Sequence, residues 1–177
     1  MAKFIFWMTG WKVVGENPKD LKKMVLIAAP HTSNWDLLYA RAAFYIMGVP
    51  VQYTVKKELF FFPLGAILKS LGGIPIDRKT KGNMVDKMAR FYSDYDELCI
   101  MITPEATRSY SPEWKKGFYY ISQKVNIPII LGFLDYKKKE AGIGPIVYPT
   151  GDYEKDLEEI KSFYRTVTPK FPEQGVR

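Results

Sequence analysis

"MVLIAAPHTSNWDLL", Met24–Leu38, is the stretch on which the fold turns. Met24–Ala29 is a short apolar run rich in β-formers and without polar alternation, which predicts a strand buried on both faces. Thr32, Ser33 and Asn34 are residue types that cap helices, and Trp35–Met47 has helical length and spacing. A buried strand feeding a helix directly is the opening of an α/β unit. In the connecting turn stands His31, the only histidine among 177 residues, ahead of Asp36 in an H-x4-D spacing.

The alternation continues to the end of the chain. Strands are predicted at Val51–Val55, Ile74–Asp77, Leu98–Thr103, Ile127–Leu134 and Pro145–Tyr148. Helices are predicted at Glu58–Leu71 with a break near Pro63, Asn83–Tyr92 capped by Asn83, Trp114–Val125, and Asp152–Thr166. In the last, Leu157, Ile160 and Tyr164 fall on one face. This pattern implies one α/β sandwich over residues 1–177, with a largely parallel sheet covered on both faces.

Composition narrows the class. Apolar residues make up 47% and aromatics 15%, enough for a packed core and against disorder. The lone Cys99, in an apolar run, excludes an intramolecular disulfide or a Cys-rich zinc site and suits a reducing cytosol. One histidine with scattered carboxylates predicts no metal site. The net charge of +7 favours an anionic partner: a nucleic acid, a membrane face or a phosphorylated substrate. No arginine-rich cluster, zinc-finger spacing or RNA-binding aromatic signature supports nucleic acid. Lys137–Lys139 reads as a solvated turn.

The N-terminus, "MAKFIFWMTGWKVVG", is the most apolar segment that looks exposed. Phe4, Trp7, Met8 and Trp11 recur at helical spacing between Lys3 and Lys12. It is short of the roughly 20 apolar residues a membrane span needs. No small-residue cleavage site follows, which disfavours a cleaved signal peptide. Residues 1–15 either pack on the core or lie at a membrane interface, with tryptophan at headgroup depth.

Three polar clusters each follow a predicted strand, where ligand groups gather in such sheets. After the first, Asp36 can reach back to one imidazole nitrogen of His31, leaving the other to accept a proton. The same aspartate also suits the helix dipole, so both readings stand at this point. No nucleophile elbow accompanies the pair, so His31 would have to activate a substrate group. After the second, "GGIPIDRKTKG", Arg78, Lys79 and Lys81 either bind phosphate or form a surface turn. After the third, "PEATRSYSPEW", Arg108 with the Thr107 and Ser109 hydroxyls suits a phosphate monoester. There Glu105 would orient the arginine or bind a substrate hydroxyl, or else form an internal pair with it.

"HTSNWD", "GGIPIDR", "PEATRS" and "IPIIL", in this order, resemble the four blocks of the glycerolipid acyltransferases of the lysophosphatidic acid acyltransferase (PlsC-like) type. The resemblance covers Val25 to Leu134 and implies a glycerol-3-phosphate acyltransferase-like fold. It implies His31 and Asp36 as the catalytic pair, and Arg78, Glu105, Thr107, Arg108 and Ser109 as binding groups for the acceptor's phosphate. It further implies Pro128 beside the acyl-chain site, and Lys56 and Lys57 near the reacting carbonyl, where an oxyanion forms. Two positions depart from the family pattern: Ala106 stands where the third block usually has glycine, and Pro30 where asparagine commonly precedes the histidine. Many members also carry a longer hydrophobic N-terminus.

The expected activity is transfer of a fatty acyl group from acyl-CoA or acyl carrier protein to a lysolipid hydroxyl in phospholipid biosynthesis. The expected acceptor is 1-acylglycerol 3-phosphate, with no cofactor beyond the thioester co-substrate. The expected setting is cytoplasmic, peripheral at the anionic inner face of the cell membrane. Acylation of an ornithine lipid or aminolipid, or non-catalytic lipid binding at a membrane surface, are the competing expectations.

Overall fold

The computed structural model describes residues 2–15, 17–77 and 83–177. The predicted strand at Met24 is β2 (Lys23–Ala28), and it leads through a loop into α2 (Trp35–Met47). Before it come α1 (Ala2–Thr9) and β1 (Lys12–Val14). After it come β3 (Val51–Lys56), α3 (Leu64–Ser70), β4 (Gly73–Ile76), α4 (Met84–Asp94) and β5 (Leu98–Ile102). The chain ends with α5 (Gly117–Val125), β6 (Ile129–Asp135), β7 (Glu140–Val147) and α6 (Tyr153–Arg165). The sheet runs β1-β7-β6-β2-β5-β3-β4, and every neighbouring pair is parallel except β6 with β7. The α/β sandwich with a largely parallel, mixed sheet is therefore as expected.

Side-chain alternation along β2 divides the core. Val25 and Ile27 enter a cluster with Tyr92, Phe118, Ile160 and Tyr164, which are supplied by α4, α5 and α6. Met24 and Leu26 enter the opposite cluster with Phe6, Trp11, Ala43 and Phe44, supplied by α1, α2 and the turn between α1 and β1. One strand thus nails both helical layers to the sheet, as a strand without polar alternation must. Cys99 and Lys137–Lys139 fall where expected, the thiol buried and the lysines in an exposed turn.

The break expected near Pro63 is present, and three other features differ from the sequence reading. The region 57–71 is a short 3-10 turn, Lys57–Leu59, followed by α3 after Pro63. Trp114 precedes α5: its ring packs on Phe118 and Tyr164, and the Lys115 N–H donates to the Pro104 carbonyl, so this segment is tied down outside the helix. The last strand starts at Glu140, ahead of Pro145, because antiparallel pairing with β6 resumes beyond a register shift and runs from Ile143 back to Glu140. The edge strand β1 lies in a segment whose aromatic spacing predicts helix.

Candidate active site

The loop after β2 is held by its own aspartate. In the first turn of α2, Asp36 Oδ2 accepts the backbone N–H groups of Thr32 and Ser33, each at 2.9 Å. Of the three expected capping residues it is Ser33 that reaches the helix, its Oγ accepting the Trp35 N–H at 3.2 Å, while the Asn34 side chain makes no cap hydrogen bond and Asp36 ties down the loop ahead of the helix. The same oxygen lies 3.0 Å from His31 Nδ1, and Oδ1 accepts the Tyr136 hydroxyl at 2.6 Å. Burial alone would raise the Asp36 pKa, but these bonds from His31, Tyr136, Ser33 and Thr32 outweigh it and hold the carboxyl below its ordinary value. An ionised Asp36 makes His31 Nδ1 the donor and leaves Nε2 as an acceptor. The dipole reading and the catalytic reading of Asp36 are thus compatible: one carboxylate serves helix and histidine together.

Beneath this loop lies Glu105, beyond the end of β5 and buried. Both its carboxylate oxygens lie 3.4 Å from the His31 backbone N–H. Burial is the main influence on it and pushes its pKa up to about 7, against weaker opposing contributions from His31. It is not hydrogen-bonded to Arg108, whose guanidinium instead donates to Asn34 Oδ1. Next to Glu105, Ala106 is exposed and takes φ 55°, a left-handed conformation that glycine adopts without strain. The departure from the family pattern at this position therefore falls on a backbone site that favours glycine.

His31 lines an apolar cavity of about 420 Å³ beneath α2. Leu37, Ala40 and Phe44 form its helix wall, Met101 and Thr103 come from the end of β5, and Gly132, Phe133 and Leu134 come from β6. Gly132 leaves little room there: a Cβ would stand 3.0 Å from Leu26 Cδ2 and 3.1 Å from Phe44 Cζ, so both side chains would have to shift by a few tenths of an ångström. The hydroxyl of Tyr164, on α6, is shared between the carbonyls of Ile27 and Gly132, at 3.0 and 3.1 Å, and fastens β2 to β6 at the floor of the site. Next to this cavity is a polar one of about 350 Å³, lined by Arg108, Ser109 and the start of α2.

The other expected residues lie apart from the histidine. Lys56 and Lys57 are exposed at the end of β3, and neither lines the His31 cavity. Pro128 precedes β6; because β6 runs parallel to β2, with Val25 opposite Ile129, it sits at the end of the strand remote from His31. Thr107 is exposed, and its hydroxyl accepts the Ser109 N–H at 3.2 Å. Arg78 lies outside the described residues. Among the described residues, no group of three or more His, Cys, Asp or Glu side chains is placed to hold a metal ion.

Tyr136 is the site residue that sequence reading missed. It stands in the turn after β6 and meets Asp36 only because the sheet brings β6 beside β2. No local spacing could have signalled it. Its ring also meets Trp11 edge-on at 5.0 Å between centroids, which links the N-terminal segment to the support of the dyad.

A family model described as Acyltransferase matches residues 11–130. Among solved structures, the 1-acyl-sn-glycerophosphate (LPA) acyltransferase PlsC from Thermotoga maritima superposes with a TM-score of 0.61 at 18% identity. That match covers 92% of this chain and 73% of the other, and it shows a shared fold. No curated protein matches.

Proposed function

The chain belongs to the acyltransferase family, and on that premise we propose that it moves a fatty acyl group from a thioester to a lysophospholipid hydroxyl. The donor is acyl-CoA or acyl carrier protein, and the acceptor that best suits the site is 1-acylglycerol 3-phosphate, an intermediate of phospholipid synthesis. The observation that carries this reading is a histidine oriented by a fully bonded carboxylate at 3.0 Å, lining an apolar cavity large enough for part of an acyl chain.

Nε2 of His31 takes the acceptor's hydroxyl proton as its oxygen attacks the thioester carbonyl. The imidazolium that forms is stabilised by Asp36, whose charge is kept by four hydrogen bonds. The tetrahedral intermediate expels the thiolate, which recovers the proton from His31. The ester bond forms as the thioester bond breaks, and the route uses no cofactor besides the thioester. General-base catalysis is worth roughly 10²–10⁴-fold. A purified His31→Ala chain should therefore lose at least that much in kcat/KM in a thiol-release assay while keeping its melting temperature. Transfer at the wild-type rate would falsify the assignment.

Attachment to an anionic membrane surface belongs to the same proposal. On α1 the Phe6 side chain is buried while Phe4, Trp7 and Met8 face outward, so the helix both packs on the core and presents an apolar edge. With a net charge of +7 the chain suits a peripheral position on an anionic, cytoplasmic membrane face. Among the described residues, no helix is long and apolar enough to cross a membrane.

A further inference from the structure

The segment after α6 crosses back over the front of the site. The Tyr136 N–H donates to the Thr168 carbonyl at 2.8 Å, and the Phe171 N–H to the Thr32 hydroxyl at 3.4 Å. Farther on, the Arg177 guanidinium lies 4.5 Å from the Tyr110 ring centroid, tying the tail to the loop that carries Arg108. These contacts place the Lys170 ammonium 5.3 Å from the Trp35 ring centroid, on the wall of the polar cavity of about 350 Å³.

That cavity is cationic. Arg108 and Lys170 both line it, with the Ser109 hydroxyl and the Gln174 amide, and no carboxylate does. Among the described residues neither cation is in an ion pair. Two unpaired cations around one opening repel each other, and an anion of about −2 charge, such as a phosphomonoester, relieves that repulsion. The two side chains are complementary: the arginine offers a fork of N–H groups, the lysine a compact charge. Asn34 lines this cavity and the apolar one alike, so the cationic pocket adjoins the cavity that His31 lines. A molecule carrying a hydroxyl and a phosphate on neighbouring carbons of a short backbone can address both at once.

Resting on the acyl-transfer reading above, the structure assigns Lys170, together with Arg108, as a binding residue for the acceptor's phosphomonoester. Lys170 lies beyond the matched family region, residues 11–130, so headgroup recognition depends on a part of the chain outside the four sequence blocks.

Isothermal titration of the full chain with glycerol 3-phosphate reads this site without any acyl transfer. Lys170→Gln should weaken binding about tenfold, the usual consequence of losing one charge-assisted hydrogen bond. Lys170→Arg should restore most of it. Undiminished binding by the glutamine variant, or no saturable binding by the wild type, overturns the assignment. In transfer assays Lys170→Gln should raise KM for 1-acylglycerol 3-phosphate about tenfold and leave KM for monoacylglycerol and for the thioester unchanged. An equal rise for both acceptors also overturns it, since Lys170 would then only brace the tail on Trp35. A wild type that acylates no acceptor refutes the acyl-transfer reading instead, and the titration still decides the role of Lys170.

Discussion

Asp36 and Glu105 flank one histidine and are pushed in opposite directions. Asp36 is buried, but its hydrogen bonds prevail and keep it ionised. Its contribution to stability is present above the ordinary aspartate range and is lost as pH falls through its native value. Glu105 has long contacts to the His31 N–H and an interaction with its own backbone, and burial prevails over both. Its contribution is complete below the ordinary value of 4.5 and is lost as pH rises through about 7. Between those limits Glu105 should withdraw about 3 kcal/mol of the wild type's stability. Glu105→Gln removes that slope, so its melting temperature should exceed the wild type's above neutrality and match it near pH 4.5. Parallel pH–Tm curves would show that the carboxyl titrates normally. Residues of this kind differ in how legible they are from sequence. His31 and Asp36 were found because a helix start brings an H-x4-D pair together locally. Tyr136 and Lys170 reach the same place from beyond β6 and α6, through contacts that no short spacing encodes.

At the level of elements, the apolar run of β2 announced the sandwich, and its alternating sides set which helices share a layer. Edge strands were harder to read. β1 is three residues long inside a run whose aromatic spacing is helical, and β7 contains two glycines and a proline, residues that weaken strand character. What the elements enclose was not legible either, because a cavity is a residue of packing. The one beneath α2 opens where Ala40 and Gly132 are small, and it ends at Phe44 and Met101. Those same two side chains line a further cavity of about 290 Å³, bounded by Arg41, Pro50, Gln52 and Leu71. They form a partition between two spaces. If the acyl chain occupies the space beside His31, the partition meets its end. Phe44→Leu keeps an apolar core side chain while thinning the wall, and should shift preference toward longer acyl thioesters. Donor-length profiles of kcat/KM check this, and an unchanged profile would place the chain elsewhere.

Over the whole molecule, charge and exposed aromatics combine. Phe4 and Trp7 are 58% and 78% exposed on α1, whereas Trp11 is 7% exposed, stacked on Tyr39 at 4.5 Å. The sequence offered two roles for the segment, and the structure divides its residues between core and surface. Truncating it would damage the core and obscure the membrane question. The double variant Phe4→Ser/Trp7→Ser touches only the outer edge. It should weaken binding to anionic vesicles by at least about tenfold, since burying each such side chain is worth roughly 1.5–3 kcal/mol. Turnover of a soluble short-chain acceptor should stay the same, and vesicle co-sedimentation measured beside thiol release tests both halves. The strand order adds a matter of timing. β1, near the start of the chain, pairs only with β7, near its end. At ordinary rates of synthesis, on the order of ten seconds pass between their emergence from the ribosome. Until β7 emerges β1 lacks the strand it pairs with, and α1 is held by helix packing, Phe6 against Tyr39 of α2, before the sheet edge beside it closes.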